Sequence, residues 1–271
     1  MEFCVLASGS RGNCTYVSSG GTSILVDFGL SARTTVKRLS EIGVAPTAIE
    51  AVLFSHDHVD HWQGIETFRT SYPVRLFANE GTASSIDGAC KKCALSWEIF
   101  ETANTFSIGA LQIEAFSLSH DAADTVGFVI SDGSVKLGIV TDLGQSSPVV
   151  ENKLKSCHAV ILESNHDYEM LMQSERPWSL KSRINGRSGH LSNEDAAALI
   201  QRSLSDQLRG ILLAHLSQDC NTQALARRAM ETVLKEANRM DVHLSVLEQE
   251  RPSARFQLTR ETLIIQQVLS E

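Results

Sequence analysis

Long apolar runs are missing from this chain. None approaches the ~20 residues a helix needs to cross a bilayer, which excludes a helical membrane span. A secretion signal is missing too. Residues 1–8 start without basic charge and stay apolar too briefly for one. Cysteine is sparse, with six residues scattered at 4, 14, 90, 93, 157 and 220. That spacing offers no disulfide framework and favours reduced thiols in a cytoplasmic protein. Cys90 and Cys93 have CxxC spacing, but no second pair accompanies them and they sit at an expected helix end. Coincidence is the reading adopted. Basic charge is in deficit: 24 Lys and Arg face 32 Asp and Glu, a formal net charge of −8. A uniformly basic face for nucleic acid is excluded, while a local basic patch is not. Aromatics are only 6% of residues, so aliphatic side chains must fill the core; at 42% hydrophobic there are enough of them. Repeats and low-complexity linkers are absent, so residues 1–271 read as one domain.

What the chain does have is concentrated at residues 56–61, His56-Asp57-His58-Val59-Asp60-His61. Imidazole and carboxylate are ligands for zinc, manganese and iron. The segment follows the apolar run Ala51-Val52-Leu53-Phe54. In an extended backbone, side chains two apart share a side, so His56 and His58 can grip one ion. Asp60 and His61 fall after a turn, within reach of a second. Asp57 points away and is expected to buttress a ligand imidazole from behind. A polar loop that happens to be rich in histidine would explain none of this.

Apolar periodicity divides the rest. Strands are expected at 3–7, 14–18, 22–27 and 49–54, with a helix capped by Ser31 running to about Leu39. Residues 62–71 and 81–92 look helical. Residues 105–118 and 125–141 read as strands around the turn Ser131-Asp132-Gly133. Strand 159–163 precedes a polar stretch to about 190. Then follow a helix at 194–204, a strand at 210–214, a helix at about 222–240 burying Leu225, Ala229, Val233 and Ala237, a strand at 242–248 and a tail. Strand pairs dominate the first half and helix–strand alternation the second. That predicts an α/β fold of mixed sheets covered by helices rather than a purely parallel doubly wound sheet.

A second pattern lies in how the strands end. Strand 49–54 leads to His56, 111–118 to His120, 136–140 to Asp142, 159–162 to Glu163 and 210–214 to His215. Taken alone, each is weak: a lone strand-end histidine is usually a hydrogen-bonded structural residue. Five together, beside the histidine cluster, point to one rim of a sheet carrying an active site.

The set resembles the metallo-β-lactamase superfamily over roughly residues 3–248. Its ligand order, HxHxDH then His, Asp and His, reads here as His56, His58, Asp60, His61, His120, Asp142 and His215. The resemblance implies a four-layer αββα sandwich of two mixed β-sheets flanked by helices. It implies two divalent metal ions per chain, zinc or manganese, with iron also compatible. His56, His58 and His120 would hold one ion, and Asp60, His61 and His215 the other. Asp142 would bridge them, and Asp27 would buttress the site. An aspartate at the bridge marks the hydrolase and phosphodiesterase branches; the lactamase branch has cysteine there.

Two further segments resemble tRNase Z: Ile161-Leu162-Glu163 and Ser188-Gly189-His190-Leu191-Ser192. There a glutamate orients a histidine that protonates the leaving oxygen, which assigns Glu163 and His190 as catalytic together with Asp60. No insertion large enough for a tRNA-binding arm is visible. The nearer resemblance is to the YycJ/WalJ family of small bacterial proteins of this fold. It is carried by the opening Leu6-Ala7-Ser8-Gly9-Ser10-Arg11-Gly12-Asn13-Cys14-Thr15, by Glu163-Ser164-Asn165-His166-Asp167 and by Gly189-His190-Leu191-Ser192-Asn193. That family implies a 5′-to-3′ DNA exonuclease in which a metal-bridged hydroxide attacks phosphorus, with nucleic acid, DNA first, as partner.

Substrate-binding roles are assigned to Ser10 and Asn13 in the opening loop, to His166, and to Arg183 and Arg187. The last two lie in a stretch, 176–189, with Arg176, Lys181 and Trp178 and no acid. It is suited to phosphates and to stacking a base. A thioesterase- or lactonase-type small-molecule hydrolase of the same fold is the alternative; it would not need Glu163, His190 or the basic stretch. The oligomeric state is left open, with a homodimer among the options.

Overall fold

The computed structural model describes residues 1–90 and 95–266. Its first half opens as an antiparallel meander, β1 (Glu2–Ala7), β2 (Cys14–Ser19) and β3 (Thr22–Val26). Ser31 caps α1 (Ala32–Glu41), its hydroxyl accepting from Thr34 N at 3.2 Å. The chain then crosses over repeatedly. β4 (Ala51–Leu53) joins β3 in parallel, followed by α2 (Val59–Trp62) and α3 (Ile65–Arg69). β5 (Arg75–Ala78), α4 (Glu80–Ala89) and β6 (Trp97–Ile99) extend the same sheet in parallel.

The second half repeats this plan. β7 (Thr105–Ile108), β8 (Leu111–Ser117), β9 (Val126–Ser131) and β10 (Lys136–Val140) form an antiparallel meander. After α5 (Pro148–Lys155), β11 (Ala159–Glu163) pairs with β10 in parallel. Then come α6 (Tyr168–Gln173), α7 (Trp178–Ile184), α8 (Asn193–Ser203), β12 (Gly210–Ala214), α9 (Gln223–Glu236) and β13 (His243–Val246). β12 and β13 continue the parallel run. A final hairpin, β14 (Arg255–Leu258) and β15 (Leu263–Gln266), returns to pair β14 with β1. The sheets are ordered β15-β14-β1-β2-β3-β4-β5-β6 and β13-β12-β11-β10-β9-β8-β7. Each is antiparallel on one side and parallel on the other.

Strand alternation sorts the apolar residues into three layers. Phe3, Val5, Ile24 and Val26 meet Ile113, Phe128, Leu137 and Ile161 between the sheets. Leu6, Leu25 and Val52 face outward onto Leu39, Ile65, Phe68 and Ile86 of the helices. On the far side Val140, Val160, Leu162 and Leu213 pack against Leu154, Ala196, Leu199, Ile200 and Met230. This is the expected four-layer αββα sandwich. Each fully buried aliphatic side chain contributes ~1.5–3 kcal/mol of transfer free energy.

Several expectations are corrected. The polar stretch to residue 190 contains α6 and α7, whose many exposed positions hide their periodicity. Residues 62–71 are a short helix end plus α3, and β5 and β6 lie in stretches given no strand. The tail is a hairpin completing the first sheet. Helix α9 buries Val233 as expected, but its other buried residues are Ala226, Met230 and Leu234, one position on from the rest of the expected row. The neighbouring row Leu225, Ala229 is only half-buried and Ala237 is exposed. Of the CxxC pair, Cys90 caps the end of α4, and Cys93 lies outside the described residues. No helix among the described residues is long and apolar enough to cross a membrane.

Candidate active site

The strands fix where the site can be. β10, β11 and β12 run parallel, and β8 runs with them because two antiparallel steps separate it from β10. Their C-terminal ends therefore share one rim, which carries His120, Asp142, Glu163 and His215. On the facing sheet β3 and β4 end together, at Asp27 and at the loop beginning with His56. Three of these strand-end residues adopt left-handed backbone: Asp27 at φ 61°, Asp142 at φ 60° and His215 at φ 55°. Non-glycine residues there cost ~1–3 kcal/mol, and the turn aims each side chain into the gap between the sheets.

Four overlapping donor sets lie in that gap among the described residues, two of them matching the expected ligand groups. His56, His58 and His120 bring one ring nitrogen each within 4.8 Å of one another, and so do the ligand atoms of Asp60, His61 and His215. Asp142 lies between them. Its Oδ2 is 3.2 Å from His61 Nε2 and its Oδ1 is 3.7 Å from His120 Nε2. Asp60 Oδ2 is 3.5 Å from His61 Nε2 and 3.6 Å from His215 Nε2.

Four of the five rings are held by the other nitrogen, the arrangement that aims an imidazole at a cation. His61 Nδ1 donates to Asp27 Oδ2 at 2.8 Å. His215 Nδ1 donates to Glu163 Oε1 at 2.8 Å, and His120 Nδ1 to the Gly189 carbonyl at 2.9 Å. His56 Nδ1 meets Ser55 Oγ at 3.0 Å, and that hydroxyl also reaches Asp27 Oδ2 at 2.9 Å. Asp27 thus steadies two rings, one directly and one through Ser55. His58 presents Nδ1 to His120 Nε2 at 3.3 Å, with Asp121 4.0 Å behind its Nε2. Two inward atoms, His56 Nε2 and His215 Nε2, are buried with no hydrogen-bond partner, and Asp142 Oδ2 is buried with only His61 Nε2 near it and no well-aligned bond. Buried polar atoms of this kind need a partner, and a divalent cation fits this donor set.

The electrostatics agree. Burial opposes charge on His61, yet Asp27, Asp142 and Asp60 outweigh it and hold this ring well above the usual imidazole range. Burial likewise opposes charge on His215, but Asp142, Asp60 and Glu163 raise it well above that range. The negative field that raises these rings is the field that would hold cations. His56, farther from the carboxylates, is pushed well below that range by burial and by His61.

Glu163 occupies a pivotal place. It is fully buried, and its Oε2 accepts from Leu143 N at 2.9 Å and Leu191 N at 3.1 Å. Its Oε1 accepts from both His215 and His190, the latter at 2.7 Å. Burial would raise its carboxyl, but His190 and these hydrogen bonds bring it down to about 2. Burial opposes charge on His190, and Glu163 reverses the balance and raises it.

Close packing supports both halves. A Cβ on Gly29 would lie 1.6 Å from the Asp60 carbonyl, and one on Gly189 would lie 2.1 Å from the Ile184 carbonyl. Only glycine allows the loops to approach so closely.

Other predicted residues are placed differently. The Asn13 side chain is buried and turned inward, its Nδ2 3.2 Å from Asp60 Oδ2 and 3.0 Å from His61 Nε2, so it contacts two of the candidate donors. His166 is fully buried with Nε2 toward Asn185 at 3.4 Å, away from the surface where a substrate role was expected. The Asp57 carboxylate accepts from Ser85 and from Ala123 N, tying α4 and the β8–β9 loop to the histidine loop instead of orienting an imidazole. Ser10, Arg183 and Arg187 are exposed, with Arg183 paired to Asp121. Sequence reasoning missed Ser55, Asp121 and the Gly189 carbonyl. Ser55 and Asp121 each adjoin a strand-end histidine, which was the available signal.

Comparison with known proteins bears on this geometry. A family model described as a β-lactamase superfamily domain matches residues 22–237. The chain is 35% identical over 237 residues to the exodeoxyribonuclease YycJ of Bacillus anthracis, covering 87% of this chain and 90% of that protein. The chain belongs to the YycJ/WalJ family of the metallo-β-lactamase superfamily. A second YycJ/WalJ relative, the exodeoxyribonuclease WalJ of Streptococcus pneumoniae, is 33% identical over 240 residues, with 88% and 89% covered. The metallo-β-lactamase fold protein YhfI of Bacillus subtilis superposes with a TM-score of 0.69 at 16% identity, covering 93% of this chain and 99% of that one. That likeness concerns the fold.

Proposed function

We infer that this protein is a metal-dependent phosphodiesterase that degrades DNA as an exonuclease, working from the 5′ end. The observation that carries the reading is the shared carboxylate of Glu163. One of its oxygens holds both His215, in a cation-binding group, and His190, beside that group. A small-molecule hydrolase would need the first contact and not the second. The exodeoxyribonuclease names of the relatives support the same substrate class.

His56, His58 and His120 would hold one divalent ion, and Asp60, His61 and His215 a second, with Asp142 between them. Zinc and manganese suit these donors, and iron is compatible. Such ions, when bound, activate water and neutralise charge on a phosphodiester. The chain's own residues do the rest. Asp27 and Glu163 fix the rings in the tautomer that turns Nε2 inward. Glu163 receives Nδ1–H of His190 and leaves its Nε2 proton for the departing oxygen. His190 is one-fifth exposed, so it can meet substrate. Asp60, which reaches both His61 and His215, helps orient the attacking side.

A digestion panel tests the reading. End-labelled single- and double-stranded DNA and RNA are incubated with protein loaded with manganese or zinc. Stepwise release of nucleotides from the 5′ end of DNA is expected. Internal cutting, release from the 3′ end, or preference for RNA would each overturn a named part of it.

A further inference from the structure

Trp178 is the most exposed large apolar side chain among the described residues, at 72%. An indole left in water adds nothing to the core, and a flat exposed ring on a rigid support is what a nucleobase stacks on. Its support is packed against the fold. Helix α7 begins at Trp178 and buries Lys181 and Ile184 on its other face. Ile184 joins Leu171 and Cys220 in a small core of its own, and Lys181 Nζ donates to the Met172 carbonyl at 2.6 Å.

The far end of α7 touches the active site. The Ile184 carbonyl accepts from His190 N at 2.8 Å. Between the indole and that end lie exposed Ser179, Ser182 and Arg183, with exposed Arg187 just beyond. Arg183 pairs with Asp121, which is 3.5 Å from His120 Nε2. No acid occurs from 176 to 190, in a chain whose net charge is −8. The strip runs from a flat ring, past small hydroxyls, to two guanidiniums at the edge of the donor groups.

We propose that Trp178 is a stacking platform for an unpaired nucleobase of the DNA strand whose terminal phosphodiester lies at His190, with Arg183 and Arg187 along the intervening phosphates. This deepens the nuclease reading and rests on it. From Trp178 to Ile184 the helix rises ~9 Å, and a stacked strand rises ~3.4 Å per nucleotide, so the ring meets about the second or third base inward from the cleaved bond. A base inside a duplex has both faces covered, so the platform selects single-stranded or frayed ends.

The test is the length dependence of cleavage by the full-length, metal-loaded protein. Wild type, Trp178→Phe and Trp178→Ala are compared on single-stranded oligodeoxynucleotides of about two to about eight residues, with and without an abasic nucleotide at the third position. The wild-type KM is expected to fall about ten-fold or more as the strand grows long enough to reach the ring, and Trp178→Phe to keep most of that fall. Trp178→Ala should lack it, and the abasic substitution should raise KM for wild type without further effect on Trp178→Ala. The same length dependence in wild type and Trp178→Ala, or an equal abasic penalty in both, would overturn the platform while leaving the nuclease standing. A wild-type protein that cleaves no DNA overturns both.

Discussion

The two walls of the site are built by opposite strategies. The wall from the first sheet is nearly contiguous: His56, His58, Asp60 and His61 come from one loop, braced by Asp27 through a single carboxylate and Ser55. The opposite wall is dispersed. His120, Asp142, Glu163, His190 and His215 come from five separate segments, and Glu163 ties three of those segments together by accepting from Leu143, His190 or Leu191, and His215. A contiguous wall is encoded locally and positioned by one turn. A dispersed wall exists only once the second sheet has registered its strands, so its geometry depends on buried carboxylates that hold several elements at once. In the proposed function, the residue that protonates the leaving oxygen, His190, belongs to this dispersed wall.

The sharpest way to break this comparison is to remove Asp142, the dispersed-wall residue that also meets His61 of the other wall. Asp142→Ala should lower kcat/KM for DNA on the order of 10³-fold, with metal loss from both groups measurable by elemental analysis. Intact metal content would show that Asp142 is not common to both. Next come the braces. Asp27→Ala and Glu163→Gln are each expected to weaken metal retention by about 10–100-fold in chelator competition. Glu163→Gln should additionally lower kcat in metal-saturated protein, because only it also steadies His190. Equal kcat in the two saturated variants would erase the functional difference between the walls.

Packing gives a smaller contrast. Gly29→Ala presses on the Asp60 carbonyl and Gly189→Ala on the Ile184 carbonyl. Each should destabilise by about 1–3 kcal/mol in urea melts. The Gly189 change should also reduce turnover, since its carbonyl orients His120.

The smallest effect lies away from both walls, at the β9–β10 turn. Burial would raise the Asp132 carboxyl, but hydrogen bonds from Val135 N, Ser134 N and Ser19 bring it down to about 2. The ordinary aspartate value is ~3.9, so a depressed folded value adds stability above that pH and loses it as pH falls toward 2. Asp132→Asn should cost about 1 kcal/mol near neutrality, modest because solvent screens the group, and almost nothing near pH 2 in paired thermal melts. A constant difference across that range would refute the assignment.

The contrast between walls also explains what the sequence made legible. The histidine loop could be read at once because its donors adjoin in the chain. The dispersed donors could be read because apolar runs stop at them, as at Asp142, Glu163 and His215. Whether a loop side chain turns inward is not a local property, so Asn13 and His166 were assigned to substrate although packing buries both. Helix α9 offers two apolar rows one residue apart, and only the sheet beneath decides that Ala226 and Met230 go inside. The hairpin β14–β15 pairs with β1 across nearly the whole chain, a contact that no local pattern announces.

One measurement tests the central claim most directly: turnover of 5′-labelled DNA by wild type and His190→Ala, with bound metal counted in the same samples. The account predicts equal metal content and a loss of about 10²–10⁴-fold in kcat for the variant. Undiminished cleavage by His190→Ala, or wild-type protein that holds its metal and leaves DNA intact, would contradict it.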